Sequence, residues 1–551
     1  MNKEQRKVVA ASSAGTAFEY YDFFLYGALV PIIGSRFFGD YGPATQTVFA
    51  LLTFAAGFIV RPIGAVIFAR LTDVVGRKVV FLITLVMMGV ATVAVGLLPT
   101  SEQIGVLAPI LLVTCRIIQG LAVSGEFGAA VTYVAEHAPG NRRGFFLGWL
   151  IGTTALALSL SVGVQLAVEG IIGRDAFEEW GWRIPFLISV IPLALSVWIR
   201  SKLHESPLFT RMKEEGTTAK APLREAFGTR PRRRMIAIVF VMAASQAFIG
   251  YLSTVYMLTA MRTNLSVDSF TVNTIFLIVM LAGFFLCVAA CRLSDKVGRR
   301  PVLFAGLGLA VVLLFPITSA LTSVANPQLA TAQSEVSVLL RADPDECAFQ
   351  FNPAGTASFD SDCDRAREVL QANAVRFDRV DTGGPTVVTV NDVPVAGGPT
   401  LTDDLTRALG DAGYPVDGAT DVIAIEGFGD LFDARVLGVM GLLLTVVLFA
   451  QLAQGPAATT MTEVFPTRIR ATALALPYQL GVGVFGGLLP ATMVAIGAEV
   501  GSTSTALWYP VIAMALGLAV LVVTLPETRG TDLTTVRIPG EEPVTESDPV
   551  R

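Results

Sequence analysis

The fold class this sequence predicts is an all-α membrane protein, with twelve helices in two repeated six-helix bundles. Two observations predict it. The first is composition. Of 551 residues 53% are hydrophobic and only 15% charged, where a soluble domain averages about a quarter charged. The second is a repeat. LTDVVGRK at 71–78 returns as LSDKVGRR at 293–300, and EHAPGNRRG at 136–144 is matched by EVFPTRIRA at 463–471. Asp73 and Asp295 are 222 residues apart, whereas Glu136 and Glu463 are 327 apart. The 105-residue difference is the length of an insertion in the second half.

Twelve apolar runs supply the helices: 8–30, 46–69, 79–99, 104–130, 145–168, 183–200, 235–260, 268–291, 302–322, 434–454, 471–498 and 506–525. Each is about 18 residues or longer, enough to cross a bilayer core. The first run holds Glu19 and Asp22 and lacks a small-residue cleavage site, so it reads as a retained helix. Cations set the orientation. Lys3, Arg6 and Lys7 precede run one, Arg77 and Lys78 follow run two, and ten Lys and Arg fall in 200–234. By the positive-inside rule both termini are cytoplasmic. The run Arg230–Arg234 sits at a membrane boundary, which favours anionic lipid over nucleic acid as its partner. The expected organisation is a first bundle at 1–200, a cytoplasmic linker at 201–234, the start of the second bundle at 235–322, an insertion at 323–432, the rest of the bundle at 433–526 and a cytoplasmic tail at 527–551.

The insertion falls between runs nine and ten and is therefore expected to be extracytoplasmic. It carries 18 Asp and Glu against 6 Arg and no Lys, a composition the outer face tolerates. Val336–Leu340 and Thr386–Val390 read as strands, and Arg365–Val375 as a helix. Thr402, Asp403 and Asp404 read as the cap of a second helix, so the insertion is a small α/β or α+β domain. Cys347 and Cys363 are its only cysteines, and in an oxidising compartment they predict a disulfide over two free thiols. Its acidic runs lack an EF-hand glycine and terminal glutamate, so no metal site is expected.

Five charges lie inside the runs: Glu19 and Asp22 in the first, Arg61 in the second, Arg116 and Glu126 in the fourth. Each costs about 2.5–3.5 kcal/mol at mid-bilayer, so such residues usually have a function. Glu19, Asp22 and Tyr26 share one helical stripe, and Arg116, Gln119 and Glu126 another. Three carboxylates against two guanidiniums leave one excess negative charge. Arginine keeps its proton almost anywhere, so the cheapest neutral state has one protonated carboxyl. That is proton-carrier chemistry; a static ion-pair network is the alternative. The second half offers neutral polar groups instead, among them Gln246, Gln451 and Tyr478.

The repeated loops read as a gate. Asp73 and Asp295 are placed to cap helix starts and to pair with Arg77, or with Arg299 and Arg300. Glu136 with Arg143, and Glu463 with Arg468 and Arg470, are expected to form matching pairs. Such pairs hold while the site opens outward and break when it opens inward; plain positive-inside anchoring is the alternative.

These loops resemble the major facilitator superfamily pattern Gly-x-x-x-Asp-x-x-Gly-Arg-Lys/Arg. Within it the chain resembles the metabolite:proton symporters, the group of shikimate, α-ketoglutarate, citrate and proline/betaine carriers. FEYYDFFLYG at 18–27, RPIG at 61–64, RIIQGLAVSGEFG at 116–128, WRIPF at 182–186 and HESPLF at 204–209 carry the likeness. It implies two six-helix bundles around a central cavity, rocking between outward- and inward-open states. By similarity Asp22 and Arg116 match the helix-one acid and helix-four arginine of proton coupling. Tyr20, Ser124, Ala69 and Cys291 depart from the pattern, which touches pocket shape and not fold.

The expected function is proton-coupled uptake of a small organic acid or zwitterion by a monomer in the cell membrane. No cofactor and no enzymatic activity are expected. Export by proton antiport is the alternative, but run five lacks the Gly-Pro pair usual in such exporters. A receptor role would need a cytoplasmic signalling domain that the sequence does not show. Arg116 favours a hydroxylated monocarboxylate as substrate, its hydroxyls read by Gln246, Gln451 and Tyr478.

Overall fold

The structure is a computed structural model. It describes residues 13, 16–17, 20–39, 41–75, 77–201, 222–348, 361–416, 421–501, 503–533, 536 and 538. Within these, the side chains at 43–44, 69–70, 72–75, 77–79, 81, 126–127, 129, 199–201, 222–223, 467–468, 471, 498 and 503–504 lie outside the description.

The described residues of the apolar runs are mostly helical. Residues 20–28 are helical and lead into α1 (Val30–Phe37). The first half continues with α2 (Pro43–Ile59), α3 (Arg61–Val75), α4 (Arg77–Leu97), α5 (Leu107–Val123), α6 (Glu126–His137), α7 (Arg143–Ile172), α8 (Arg183–Ile188) and α9 (Val190–Ser201). The second half begins with α10 (Arg230–Tyr251), a π-helical turn at Leu252–Tyr256 and α11 (Met257–Thr263), then α12 (Ser269–Val297) and α13 (Arg299–Ala325). Among the described residues seven helices are long and apolar enough to cross a membrane, or eight if the bent pair at Arg174–Trp198 is one span. Large apolar side chains such as Leu97, Ile171 and Val523 face outward, where lipid and not water is the favourable neighbour. Trp198 and Trp508 are exposed near helix ends, the usual place for an interfacial anchor. The chain is a multi-pass membrane protein.

The two halves meet along α7 and α12, a long and intimate pair. Small residues make this possible. A Cβ on Gly148 would come within 2.9 Å of the Cys291 Cβ and 3.0 Å of the Val288 Cα. Any side chain there pushes the halves apart.

Between α13 and the later α17 the chain leaves the helical body. It forms α14 (Pro327–Glu335), β1 (Val338–Ala342), α15 (Asp362–Ala372), β2 (Asp378–Asp381), β3 (Val387–Val390), β4 (Val393–Ala396) and α16 (Leu401–Asp411). The sheet order is β2-β1-β3-β4, with β1 and β2 parallel and the other pairs antiparallel. Asn391 and Asp392, both at positive φ, form the tight β3–β4 turn. One face of the sheet packs on the two longer helices through Leu340, Val388, Leu370, Leu405 and Leu409, all fully buried. Burying each such leucine contributes roughly 1.5–3 kcal/mol. Cys347 and Cys363 form a disulfide with Cα atoms 5.2 Å apart. Strands β2 and β4 escaped the sequence reading, because DRVD and VPVA are short and expose most of their residues. The cap of α16 also differs. Thr400 is the N-cap and makes no side-chain cap bond, while Asp403 and Asp404 stand in the first turn, where the helix dipole favours them.

The second half closes with α17 (Ala434–Glu463), α18 (Thr467–Leu480), a π-helical turn at Gly481–Gly486, α19 (Leu489–Val500) and α20 (Trp508–Thr524). Because α13 runs from Arg299 to the inserted domain, that domain lies at the opposite end of the molecule from Arg299 and Glu463.

Candidate functional site

The first of three charged clusters is buried inside the first half. Arg116 on α5 is 1% exposed, and among the described residues none of its three guanidinium nitrogens has a hydrogen-bond partner. Its guanidinium carbon stacks 3.9 Å from the Tyr26 ring centroid, a cation–π contact that steadies a cation without using its donors. Tyr26 is held by its own hydroxyl, which donates to the Ala50 carbonyl at 3.0 Å. Asp22, one turn earlier, is also buried, with its Oδ1 unpartnered. Asp22 and Arg116 attract each other across the cluster, yet among the described residues no ion pair or hydrogen bond joins them. Gln119 donates to the Thr92 hydroxyl at 2.6 Å, and its Oε1 is unpartnered. An acid, a fork of free donors and an amide oxygen thus share one buried space.

Arg61 does not join this group. Its guanidinium carbon lies 3.8 Å from the Phe58 ring centroid and 4.9 Å from that of Phe23. It stands near Tyr251 of the second half. Tyr478, expected beside the substrate, bonds Tyr20 and stands near Arg61 and Tyr251. This second cluster is a cross-half aromatic seam. Gln246 and Gln451 are buried on α10 and α17, with Gln451 Oε1 unpartnered. Glu19, and the side chains of Glu126, Asp73, Arg77 and Arg468, lie outside the described residues.

The third cluster holds the residues expected to form a gate, and its partners are exchanged relative to the sequence expectation. Arg143 pairs with Glu463 at 2.7 Å and Arg470 with Glu136 at 3.1 Å. Each arginine thus reaches the glutamate of the other half, where within-half pairs were expected. Glu463 is buried and also accepts from Arg299 at 3.1 and 3.2 Å. Asp295 accepts from Arg299 at 2.7 Å and from the backbone N–H groups of Gly144 and Phe145 at 2.9 and 2.8 Å. It therefore caps the start of α7 in the opposite half, not a helix of its own. Arg300 stands apart and donates to the Val522 carbonyl at 2.8 Å.

The segment after α20 adds to this cluster, and the sequence reading gave it no role there. Glu527 accepts from the backbone N–H groups of Arg299, Arg300, Thr528 and Arg529 at 2.9–3.1 Å. Burial pushes its carboxyl up, but these four donors outweigh burial and hold it below the usual carboxylate range. Thr528 donates to Glu463 at 2.7 Å, and the Thr531 and Leu533 carbonyls accept from Arg143 and Arg470. The available signal was a glutamate placed directly after the last apolar run, facing the repeated Gly-Arg of residues 298–299.

A family model for the Major Facilitator Superfamily matches residues 13–339. The chain belongs to this superfamily. It is 35% identical over 324 residues to the shikimate transporter of Escherichia coli (strain K12), covering 57% of this chain and 72% of that one. It is 33% identical over 320 residues to the proline/betaine transporter of the same strain. That match takes in 56% of this chain and only 64% of the transporter's own length. The resemblance to metabolite symporters therefore stands, and these relatives are transporters, not enzymes. Among solved structures, the proton:xylose symporter XylE bound to 6-bromo-6-deoxy-D-glucose aligns with a TM-score of 0.63. It is 16% identical over 97% of this chain and 98% of its own, a likeness of fold alone.

Proposed function

We propose that the chain is a secondary active carrier that takes up a small organic acid or zwitterion together with a proton, by alternating access. The observation that carries this reading is Arg116: a buried guanidinium with three unpartnered nitrogens, beside an unpartnered carboxylate oxygen of Asp22. A substrate carboxylate satisfies that fork bidentately. Its arrival removes the positive charge that favours ionised Asp22, so a proton binds Asp22 as the substrate binds Arg116. The loaded site then has the same net charge as the empty one, whereas substrate without the proton would leave an unbalanced negative charge in a low-dielectric interior.

In this reading the helices cross the membrane twelve times in two six-helix bundles, with both termini cytoplasmic and the inserted domain outside. Glu19, Glu126 and Gln119 tune the same site. Gln246 and Gln451 read substrate hydroxyls from the second half, while Arg61 and Tyr478 join the seam between the halves. The pairs of Arg143 with Glu463 and Arg470 with Glu136, with Asp295 and Arg299, form the inner gate. Asp73, Arg77 and Arg468 take part in it as members of the duplicated loops, while Arg300 holds the end of α20. The carrier works as a monomer in the cell membrane. Uptake of a panel of labelled organic acids into proteoliposomes, with and without an imposed proton gradient, tests the reading. Gradient-driven accumulation of one member supports it, and its absence for every acid and zwitterion counts against it.

A further inference from the structure

We propose that the inserted domain is a strap over the far end of the seam between the halves, fixed to the second half and seated on the first at Gly42. The proposal rests on the alternating-access reading above. Two features set it apart from a mere appendage: where the domain is tied, and what it covers.

Several polar ties join the domain to the second half. At its entry Asn326 donates to the Leu265 carbonyl at 3.0 Å. The Ile425 N–H donates to the Thr271 hydroxyl at 2.8 Å. Arg367, fully buried, and Arg379 both pair with Glu499 near the end of α19. The Phe377 N–H donates to the Gly501 carbonyl at 3.1 Å. Gly501 closes α19 in the left-handed conformation at φ 66°, and a Cβ there would strike the Phe377 carbonyl.

On the first half the domain has a different kind of contact. Helix α15 lies against the start of α2. The Glu368 carboxylate, on the same helix as Arg367, sits directly over Gly42, where a Cβ would overlap it. Gly42 has ordinary extended torsions, φ −66° and ψ 158°. Its backbone would accept any residue, but a side chain there has to push the end of Glu368 aside. Among the described residues no ion pair or hydrogen bond accompanies this seat.

Beneath α15, α2 packs against α19 and the π-helical turn at Gly481–Gly486. A Cβ on Gly487 would meet the Phe58 ring at 2.5 Å. These elements belong to opposite halves, and they separate when the far face opens. Opening must therefore lift Glu368 off Gly42 while Glu499 keeps hold of the domain. A second cross-half contact lies at the same face, where Arg262 of α11 donates to the Ala28 carbonyl. A 490 Å³ cavity lined by Asn264, Thr318, Thr322, Thr331 and Gln333 separates α14 from α11 and α13. A hydrogen-bonded anchor on one half beside a packed seat on the other is the mechanical form of a strap.

The test measures spin-label distances in the full-length chain in lipid nanodiscs. One pair, Glu102→Cys with Ser266→Cys, reports the far face. The other, Arg142→Cys with Lys296→Cys, reports the gate face. Gly42→Leu and Glu368→Ala should each shift the 102–266 distribution to longer distances. Asp295→Asn, which weakens the opposite gate, should lengthen the 142–296 distance instead. If Asp295→Asn acts but neither Gly42→Leu nor Glu368→Ala moves the far-face distances, the domain is no strap and the inference is overturned while alternating access stands. If no variant moves either pair, the chain does not rock and both readings fall.

Discussion

At the residue scale the account stands on Arg116 and Asp22. Both were legible in the sequence, because a charge inside an apolar run is costly and therefore conspicuous. Their environment was not. The stack of Arg116 on Tyr26 depends on how α5 meets the first helix, which no spacing rule encodes. Arg116→Lys keeps the charge but loses the planar fork. Apparent substrate affinity in uptake assays should fall roughly tenfold or more, and unchanged affinity would make Arg116 structural. The gate teaches the converse lesson. Glu136 and Arg143 are neighbours in sequence and so looked like partners, yet each bonds the opposite half. A duplicated motif reveals that two loops are equivalent but leaves open whether each pairs with itself or with its twin. Glu463, which receives Arg143, Arg299 and Thr528, is the hub of this exchange. Glu463→Gln should open the gate face and raise the reactivity of cysteines placed in the inner vestibule; equal reactivity would show that these pairs only anchor the loops.

At the element scale the helices were readable because each is apolar for about the thickness of a bilayer core. The π-helical turns at Leu252–Tyr256 and Gly481–Gly486 were not, since one extra residue per turn leaves hydrophobicity unchanged. In the inserted domain the disulfide was foreseen from compartment and cysteine count. Replacing Cys347 and Cys363 by serine should destabilise that domain by about 3 kcal/mol on the loop-entropy model, read as earlier proteolysis within 327–432 while the helical body survives. The segment after α20 has its own pH signature. The native carboxyl of Glu527 lies below its ordinary value. It therefore lends stability that is full above the ordinary carboxylate range and lost as pH falls through the lower native value. Glu527→Gln should flatten the fall of the thermal midpoint between about pH 6 and pH 3; a parallel fall in both proteins would show that the four backbone donors are not holding a carboxylate.

In the proposed carrier, two rocking halves enclose the substrate site, with the Glu463 cluster as a gate at one end and the disulfide-closed domain at the other. No charge of the buried cluster lies in that domain. Replacing 327–432 by a short polar linker should therefore leave the helical body folded, since loop closure depends weakly on length, and proton-coupled uptake should persist. Loss of binding in a folded deletion protein would assign the domain to the substrate site. The central claim, that Asp22 takes up a proton as Arg116 takes up a carboxylate, is tested most directly by watching both movements at once. Proteoliposomes would carry a pH-sensitive dye inside, with labelled substrate added outside in the absence of any gradient. The account predicts that substrate entry acidifies the lumen in the wild type. Asp22→Asn should still exchange substrate but leave lumenal pH unchanged. Substrate entry without acidification in the wild type, or normal uphill accumulation by Asp22→Asn under an imposed proton gradient, would contradict it.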